Sequence, residues 1–438
     1  MIADELAARA ALLPPLPDSS VSAPVIAPGF APPPSVVEPP IRSPEEAAAA
    51  LRSAVEHAVE RALAGATAVA VMTGGGLDSS TLLAIAARCA RTLGLRVFGI
   101  ALDFGGPGDD RPHRAALERH VGCEIVRVAP EEAAARIEHA LVGVSGAPFT
   151  WPGGPMEVEL LARARALGAD RALMGIGADH LFDGDPRSLA ELALGLRPRS
   201  AVLRARRLEG FARPRFPAAS WVARPIVASL VPTWIRRRRG RRTKPHVPRW
   251  AGPRLERVAA RIHALEVGRA LPPPRTVRQR YVQFASAPHL EHLLALRDQE
   301  IAASGTERID PFLDPDVIAT AMRIEPHLLL TGDVRRGLFR KAFADLLPAS
   351  VRDRSDKAAF EPAFARFASA AGGLASLRSL SDVRELSSRA IADPRRFREA
   401  FESFVANPED PDGWSEVWPA LTVESFLRHH GAEAGATT

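Results

Sequence analysis

Residues 68–80 read Ala-Val-Ala-Val-Met-Thr-Gly-Gly-Gly-Leu-Asp-Ser-Ser, followed by the apolar run Thr81 to Ala87. A short β-branched run ending in three glycines and restarting as an amphipathic segment is a strand, a tight loop and a helix. Such a unit aims several backbone N–H groups and a helix N-terminus at one point, which makes an anion site. The glycines permit positive φ and let a ligand approach the backbone closely. A Walker loop is excluded, since no Gly-Lys-Ser/Thr follows at the required spacing. A dinucleotide fingerprint does not place Asp-Ser-Ser at the helix mouth.

At 438 residues the chain exceeds a single ordinary domain. No apolar run approaches the ~20 residues of a membrane span, and the Met-Ile-Ala-Asp start lacks a basic secretory n-region. The two cysteines, Cys89 and Cys123, have no paired spacing, which points to a reducing cytoplasm and away from thiol–metal chemistry. Only three of the 57 basic residues are lysines, Lys244, Lys341 and Lys357. In a chain that otherwise writes positive charge as arginine, a retained lysine carries weight where a compact point charge must meet phosphate.

Residues 14–42 are Pro-rich and read as an extended, unstructured leader. Ser43-Pro44-Glu45-Glu46 is a capping box, and Leu51, Val55, Val59 and Leu63 form a core-facing stripe that Gly65 ends. Strands at 68–72, 96–102, 124–128 and 171–174 alternate with helices, predicting a doubly wound parallel sheet with its ligand at the strands' carboxyl ends. Beyond about 188 strand signals fade and a helical half follows. The run Arg236 to Lys244 is either a solvated loop or a dock for a polyanion or acidic peptide. No aromatic interleaving accompanies it, so nucleic acid is not the expected partner.

The loop resembles the Ser-Gly-Gly-x-Asp-Ser loop of the ATP pyrophosphatase superfamily, with Thr73 at the serine position. Residues 174–187, Met-Gly-Ile-Gly-Ala-Asp-His-Leu-Phe-Asp-Gly-Asp-Pro-Arg, resemble a stretch of the synthetase domains of asparagine synthetases. So do Arg-Ile-Asp-Pro-Phe-Leu-Asp-Pro at 308–315 and the stretch 335–361, where a helix ends in Leu-Pro and a lysine follows. This resemblance implies an adenine nucleotide alpha hydrolase-like (PP-loop) α/β fold. The core would lie at 43–187, a helical insertion with the basic loop at 188–305, and a helical part completing the site at 306–438.

The resemblance also assigns roles, with ATP and Mg²⁺ as cofactors. Thr73, Gly74, Gly75, Gly76, Ser79 and Ser80 would cradle pyrophosphate, and Ile100 and Gly175 would meet adenine through their backbone. Asp78 and Asp179 would hold Mg²⁺, hard oxygens suiting that ion. Lys357 would neutralise charge in the transition state. Two departures matter. Ile176 stands where the family carries a glutamate or tyrosine, so His180 becomes the nearest candidate base by pKa. Residue 2 is Ile rather than a glutamine-hydrolysing Cys, and the ~67 residues before the loop are too few for a glutaminase domain.

The expected reaction is therefore carboxylate adenylation followed by capture by an amine of the substrate itself, as in the cyclases of lasso peptides. The segment Phe149-Thr150-Trp151-Pro152, the Arg-rich stretch 187–215 and the basic run have a similar character in that group. A precursor peptide and a leader-processing protease are the partners this implies, without a membrane. Alternatives are an asparagine synthetase fed by ammonia or by a separate glutaminase, a tRNA-modifying relative, and a non-catalytic scaffold.

Overall fold

The computed structural model describes residues 39–137, 141, 148–184, 186–195, 197–207, 218–240, 245, 247–269, 288–356, 358–370 and 377–436. Packing against the rest of the fold reaches upstream of the capping box: Ile41 is buried, donates to the Arg323 carbonyl and accepts from Glu325 N–H. Ser43 then caps α1 (Pro44–Leu63) by accepting from the N–H groups of Glu45 and Glu46.

The first half alternates as the sequence predicts: β1 (Ala68–Met72), α2 (Leu77–Leu93), β2 (Arg96–Leu102), α3 (Arg111–Val121), β3 (Ile125–Val128), α4 (Gly154–Ala166) and β4 (Arg171–Leu173). Four helices follow: α5 (Ala178–Phe182), α6 (Pro186–Leu194), α7 (Pro198–Arg207) and α8 (Ala218–Leu230). Then come α9 (Thr233–Gly240), α10 (Pro253–Arg269) and α11 (Pro288–Ser304) before a strand the sequence does not announce, β5 (Glu307–Ile309). Three residues carry no readable alternation, and only pairing with β4, Leu173 beside Ile309, makes Glu-Arg-Ile a strand.

All strands are parallel, in the order β3-β2-β1-β4-β5. The chain winds outward from β1 to β3, then returns to the other side of β1. The switch point therefore lies between β1 and β4, and their carboxyl ends run into residues 73–76 and 174–177. This is the crevice where open α/β sheets take ligands.

Past β5 the chain is helical: α12 (Pro315–Arg323), α13 (Gly337–Ala342), α14 (Ala349–Arg352), α15 (Glu361–Ser369), α16 (Arg384–Ser388), α17 (Pro394–Ala406) and α18 (Pro411–Ala436). A second core gathers here around Trp250, Trp414, Trp418, Phe397 and Phe404. Each of its indole N–H groups finds a carbonyl, Trp250 that of Glu416 at 3.0 Å and Trp414 that of Pro408 at 2.7 Å. Trp418 donates to the Phe149 carbonyl, and the Phe149 ring lies over Gly154, so closely that a Cβ there would overlap it. Phe149 is thus an anchor of this core. Both cysteines are buried and unbridged. Among the described residues no helix is long and apolar enough to cross a membrane.

Candidate active site

The glycine loop leaves β1 through Thr73, whose N–H donates to the Ile100 carbonyl at 2.9 Å. Gly76 precedes α2 without a side-chain cap, and a helix N-terminus at the mouth of a glycine loop is a favourable place for an anion. Two of the loop's three glycines answer a neighbour. A Cβ on Gly74 would lie 2.5 Å from Asp110 Oδ2, and Gly75 holds φ at +107° against the Asp110 to Arg114 backbone. Across the switch point a Cβ on Gly175 would stand 3.3 Å from Ser79 N, so the second string abuts the first.

A cleft of about 670 Å³ opens above this junction. Gly74, Gly76, Asp78 and Ser79 line one side, and Gly175, Asp179 and Asp183 another. Arg335, Arg336 and Arg340 close the back, and Arg354 to Asp356 with Phe360 form the remaining wall. The sequence reading therefore brings Gly74, Gly76, Asp78, Ser79, Gly175 and Asp179 to one place. Thr73 supports the loop from beneath, buried, and donates to Ser79 Oγ at 3.4 Å. Ser80 turns inward, fully buried, its hydroxyl without a partner among the described residues. Ile100 is enclosed in the sheet, outside the lining of the cleft, and its carbonyl accepts from Thr73 N–H. His180 follows Asp179 on α5, half-buried and outside the lining of the cleft. Ile176 packs against the first core. Lys357 lies outside the described residues.

The feature the sequence reading missed is Arg336. Its Nη2 lies 2.8 Å from Asp78 and 3.1 Å from Asp179, joining the two carboxylates through one cation. Burial works against its charge, but Asp78 and Asp179 outweigh burial and hold its pKa above the ordinary value. Its Nε is buried with no hydrogen-bond partner among the described residues. The backbone at Arg336 is left-handed (φ +59°), an uncommon setting for a side chain with a Cβ. Gly337 makes the turn feasible, because a Cβ there would meet the Thr331 carbonyl at 1.7 Å. Packing fixes the alignment: Phe182 on α5 and Phe339 on α13 have ring centroids 5.5 Å apart, and Phe312 completes the cluster at 6.3 and 5.8 Å. The three strings singled out in the sequence meet in those rings.

Arg354 performs a parallel task on the opposite wall. It pairs with Asp110, donates to Asp356 at 2.8 Å and to the Gly108 carbonyl at 2.7 Å, and reaches the Gly75 carbonyl at 3.5 Å. Burial pushes the Asp110 carboxyl up, only partly offset by Arg354. Arg340 carries no carboxylate partner in the lining and instead holds the backbone of this wall, donating to the Arg352 and Arg354 carbonyls. The signal for these arginines lay inside the 335–361 string.

These charges also test whether a cation fits. Among the described lining residues six aspartates face four arginines, so a polyphosphate reaches the loop favourably only with added positive charge. Asp78 and Asp179 converge on one point and supply the hard oxygens Mg²⁺ takes alongside phosphate oxygens. The residues fit that ion, with the guanidinium of Arg336 as its neighbour. Among the described residues no group of three or more His, Cys, Asp or Glu side chains could hold a metal ion.

The asparagine synthase family model matches residues 50–428, which takes in the sheet, the cleft and the second core. No curated protein gives a significant match to the chain.

Proposed function

The chain belongs to the asparagine synthase family, which forms amide bonds at the expense of ATP, and from that premise we propose that it adenylates a peptide carboxylate and passes the acyl group to an amine of the same peptide. The observation that carries this reading is the convergence of an uncapped glycine loop, two carboxylates and a buried arginine at the switch point of the sheet. A donor carboxylate attacks the α-phosphorus of ATP, the α–β bridge bond breaks, and pyrophosphate leaves with acyl-AMP remaining. The amine then attacks the acyl carbon, AMP departs and the amine loses its proton.

Each group has a place in that sequence. The N-terminus of α2, with Ser79, holds the departing pyrophosphate. Asp78 and Asp179 would hold Mg²⁺, which supplies charge neutralisation on the phosphates. Arg336 adds a fixed cation whose orientation is set before ligand arrives, so little reorganisation is needed during the reaction. Lys357 is the proposed cation for the leaving phosphate or the tetrahedral centre. Phe360, 49% exposed on the cleft wall, gives an apolar contact suited to a peptide.

Incubation with Mg-ATP and a set of carboxylates tests the reaction. Peptides carrying Asp or Glu should yield AMP and pyrophosphate together with a product lighter than the peptide by one water. Release of ADP and phosphate overturns the adenylation step. Turnover of free aspartate with ammonia in place of any peptide overturns the choice of substrate.

A further inference from the structure

Charge is distributed unevenly along this chain. Residues 187–254 contain eighteen arginines and lysines against two acids, Glu191 and Glu209. That segment is net +16 while the whole chain is +6, leaving −10 for the rest. The described part of the segment folds as α6 to α9, and α6, α7 and α8 share a small core of Leu189, Ala201, Ala205 and Val222 with Leu330. Outside that core lies an apolar stripe that the fold leaves uncovered. Val227, Leu230 and Trp234, spaced three and four apart across the α8–α9 junction, are 60, 69 and 63% exposed. Arg237, Arg238 and Arg239 follow directly, all exposed.

A solvated basic face does not need three large apolar side chains in its middle, and single exposed hydrophobics are ordinary only when scattered. The combination suits a ligand that offers carboxylates and apolar side chains together. Its position decides among such ligands. On α7, Arg204 donates to Asp333 at 2.8 Å and to the Leu330 carbonyl at 2.6 Å, and Val334, Arg335 and Arg336 come next in the chain and line the cleft. The basic lobe is thus riveted to the segment that forms the back of the active site.

We infer that the α8–α9 face is the docking surface for an acidic, apolar segment of the peptide substrate, distant in sequence from the carboxylate that is activated. This rests on the reading that the acyl donor is a peptide. Arginines at 237–239 steer and hold the acidic side chains, and Val227, Leu230 and Trp234 bury the apolar ones. Binding energy from this remote contact brings the reacting carboxylate to the cleft without asking the cleft to recognise it.

The test uses the full chain and a short fluorescein-labelled peptide of Glu, Leu and Phe, read by anisotropy. Binding should weaken as salt rises, and the triple variant Arg237→Glu, Arg238→Glu, Arg239→Glu should weaken it by about tenfold or more. The same variant should gain affinity for the matched peptide with Lys in place of Glu, which also shows that it is folded. Trp234→Ala with Leu230→Ala should weaken binding at every salt concentration. Pyrophosphate exchange into ATP driven by a short peptide lacking the acidic segment should not change in either variant. Equal peptide affinity in wild type and charge-reversed protein overturns the surface. So does binding to phosphatidylglycerol vesicles with none to the peptide, which would make the face a membrane contact. Arginine-dependent peptide binding without AMP release from any carboxylate supports the surface and overturns the adenylation reading instead.

Discussion

Arg308 and Arg336 are both buried arginines that join two carboxylates, and their surroundings are opposite. Arg308 sits between Glu300 and Asp310, all three side chains at most 3% exposed. Burial, with Glu157 alongside, pushes the Glu300 carboxyl up to about 10, so that it stays protonated at neutral pH. That cluster ties α11 to the end of β5 and is sealed. Arg336 has the same arrangement with Asp78 and Asp179, but Asp179 is half exposed and the group faces an open cleft. A sealed cluster has to balance its charge by shedding or keeping protons. An open one can balance it with a ligand, so the same arrangement is closed off in one place and within reach of a ligand in the other.

The comparison can be broken most decisively at Asp78. Asp78→Ala should lower AMP release by at least about a thousandfold while the melting temperature holds within a few degrees, since the cleft carboxylate serves ligand rather than fold. Unfolding of that variant would show the open triad to be structural after all. Arg336→Lys keeps the charge but loses the planar group that reaches both acids. It should cost about a hundredfold in kcat/KM, and calorimetry should show weaker Mg-ATP binding. Unchanged nucleotide affinity would place Arg336 outside the ligand's reach.

The sealed cluster answers to pH. Glu300 is neutral in the fold and ionised in the unfolded chain, so its contribution is fully present below the ordinary carboxyl pKa and declines as pH rises toward about 10. Glu300→Gln should therefore raise the melting temperature by about 2–4 °C near pH 8 and give no gain near pH 4. A gain equal at both would remove the titration from the account. The smallest effect is expected at Ser80, whose buried hydroxyl lacks a partner among the described residues: Ser80→Ala should shift stability by less than about 0.5 kcal/mol and leave turnover unchanged. Loss of activity there, equal to that of Ser79→Ala, would return Ser80 to the phosphate cradle.

What can be read from the sequence depends on how far its physical cause extends along the chain. The glycine loop, the capped α1 and the alternating strands are set within one or two turns of sequence, by the φ freedom of Gly75, the Ser43 cap and runs such as Val69 to Met72. Those features appear where they were expected, as does the meeting of Gly74, Asp78, Ser79, Gly175 and Asp179. Direction and partnership were decided later. Ser79 and Ser80 are indistinguishable in sequence, and only the helix phase sends one to the cleft and the other to the core. Strand β5 exists because β4 lies beside it.

By itself, then, the sequence determined the sheet, the anion loop and the family to which three ordered strings point. Tertiary structure decided which cation stands between the two aspartates. Arg336 is drawn there across 258 residues from Asp78 by the packing of Phe182, Phe312 and Phe339 and by the left-handed turn that Gly337 permits. No local pattern encodes that, because the energy that holds it comes from contacts between segments that are neighbours only once the chain has folded.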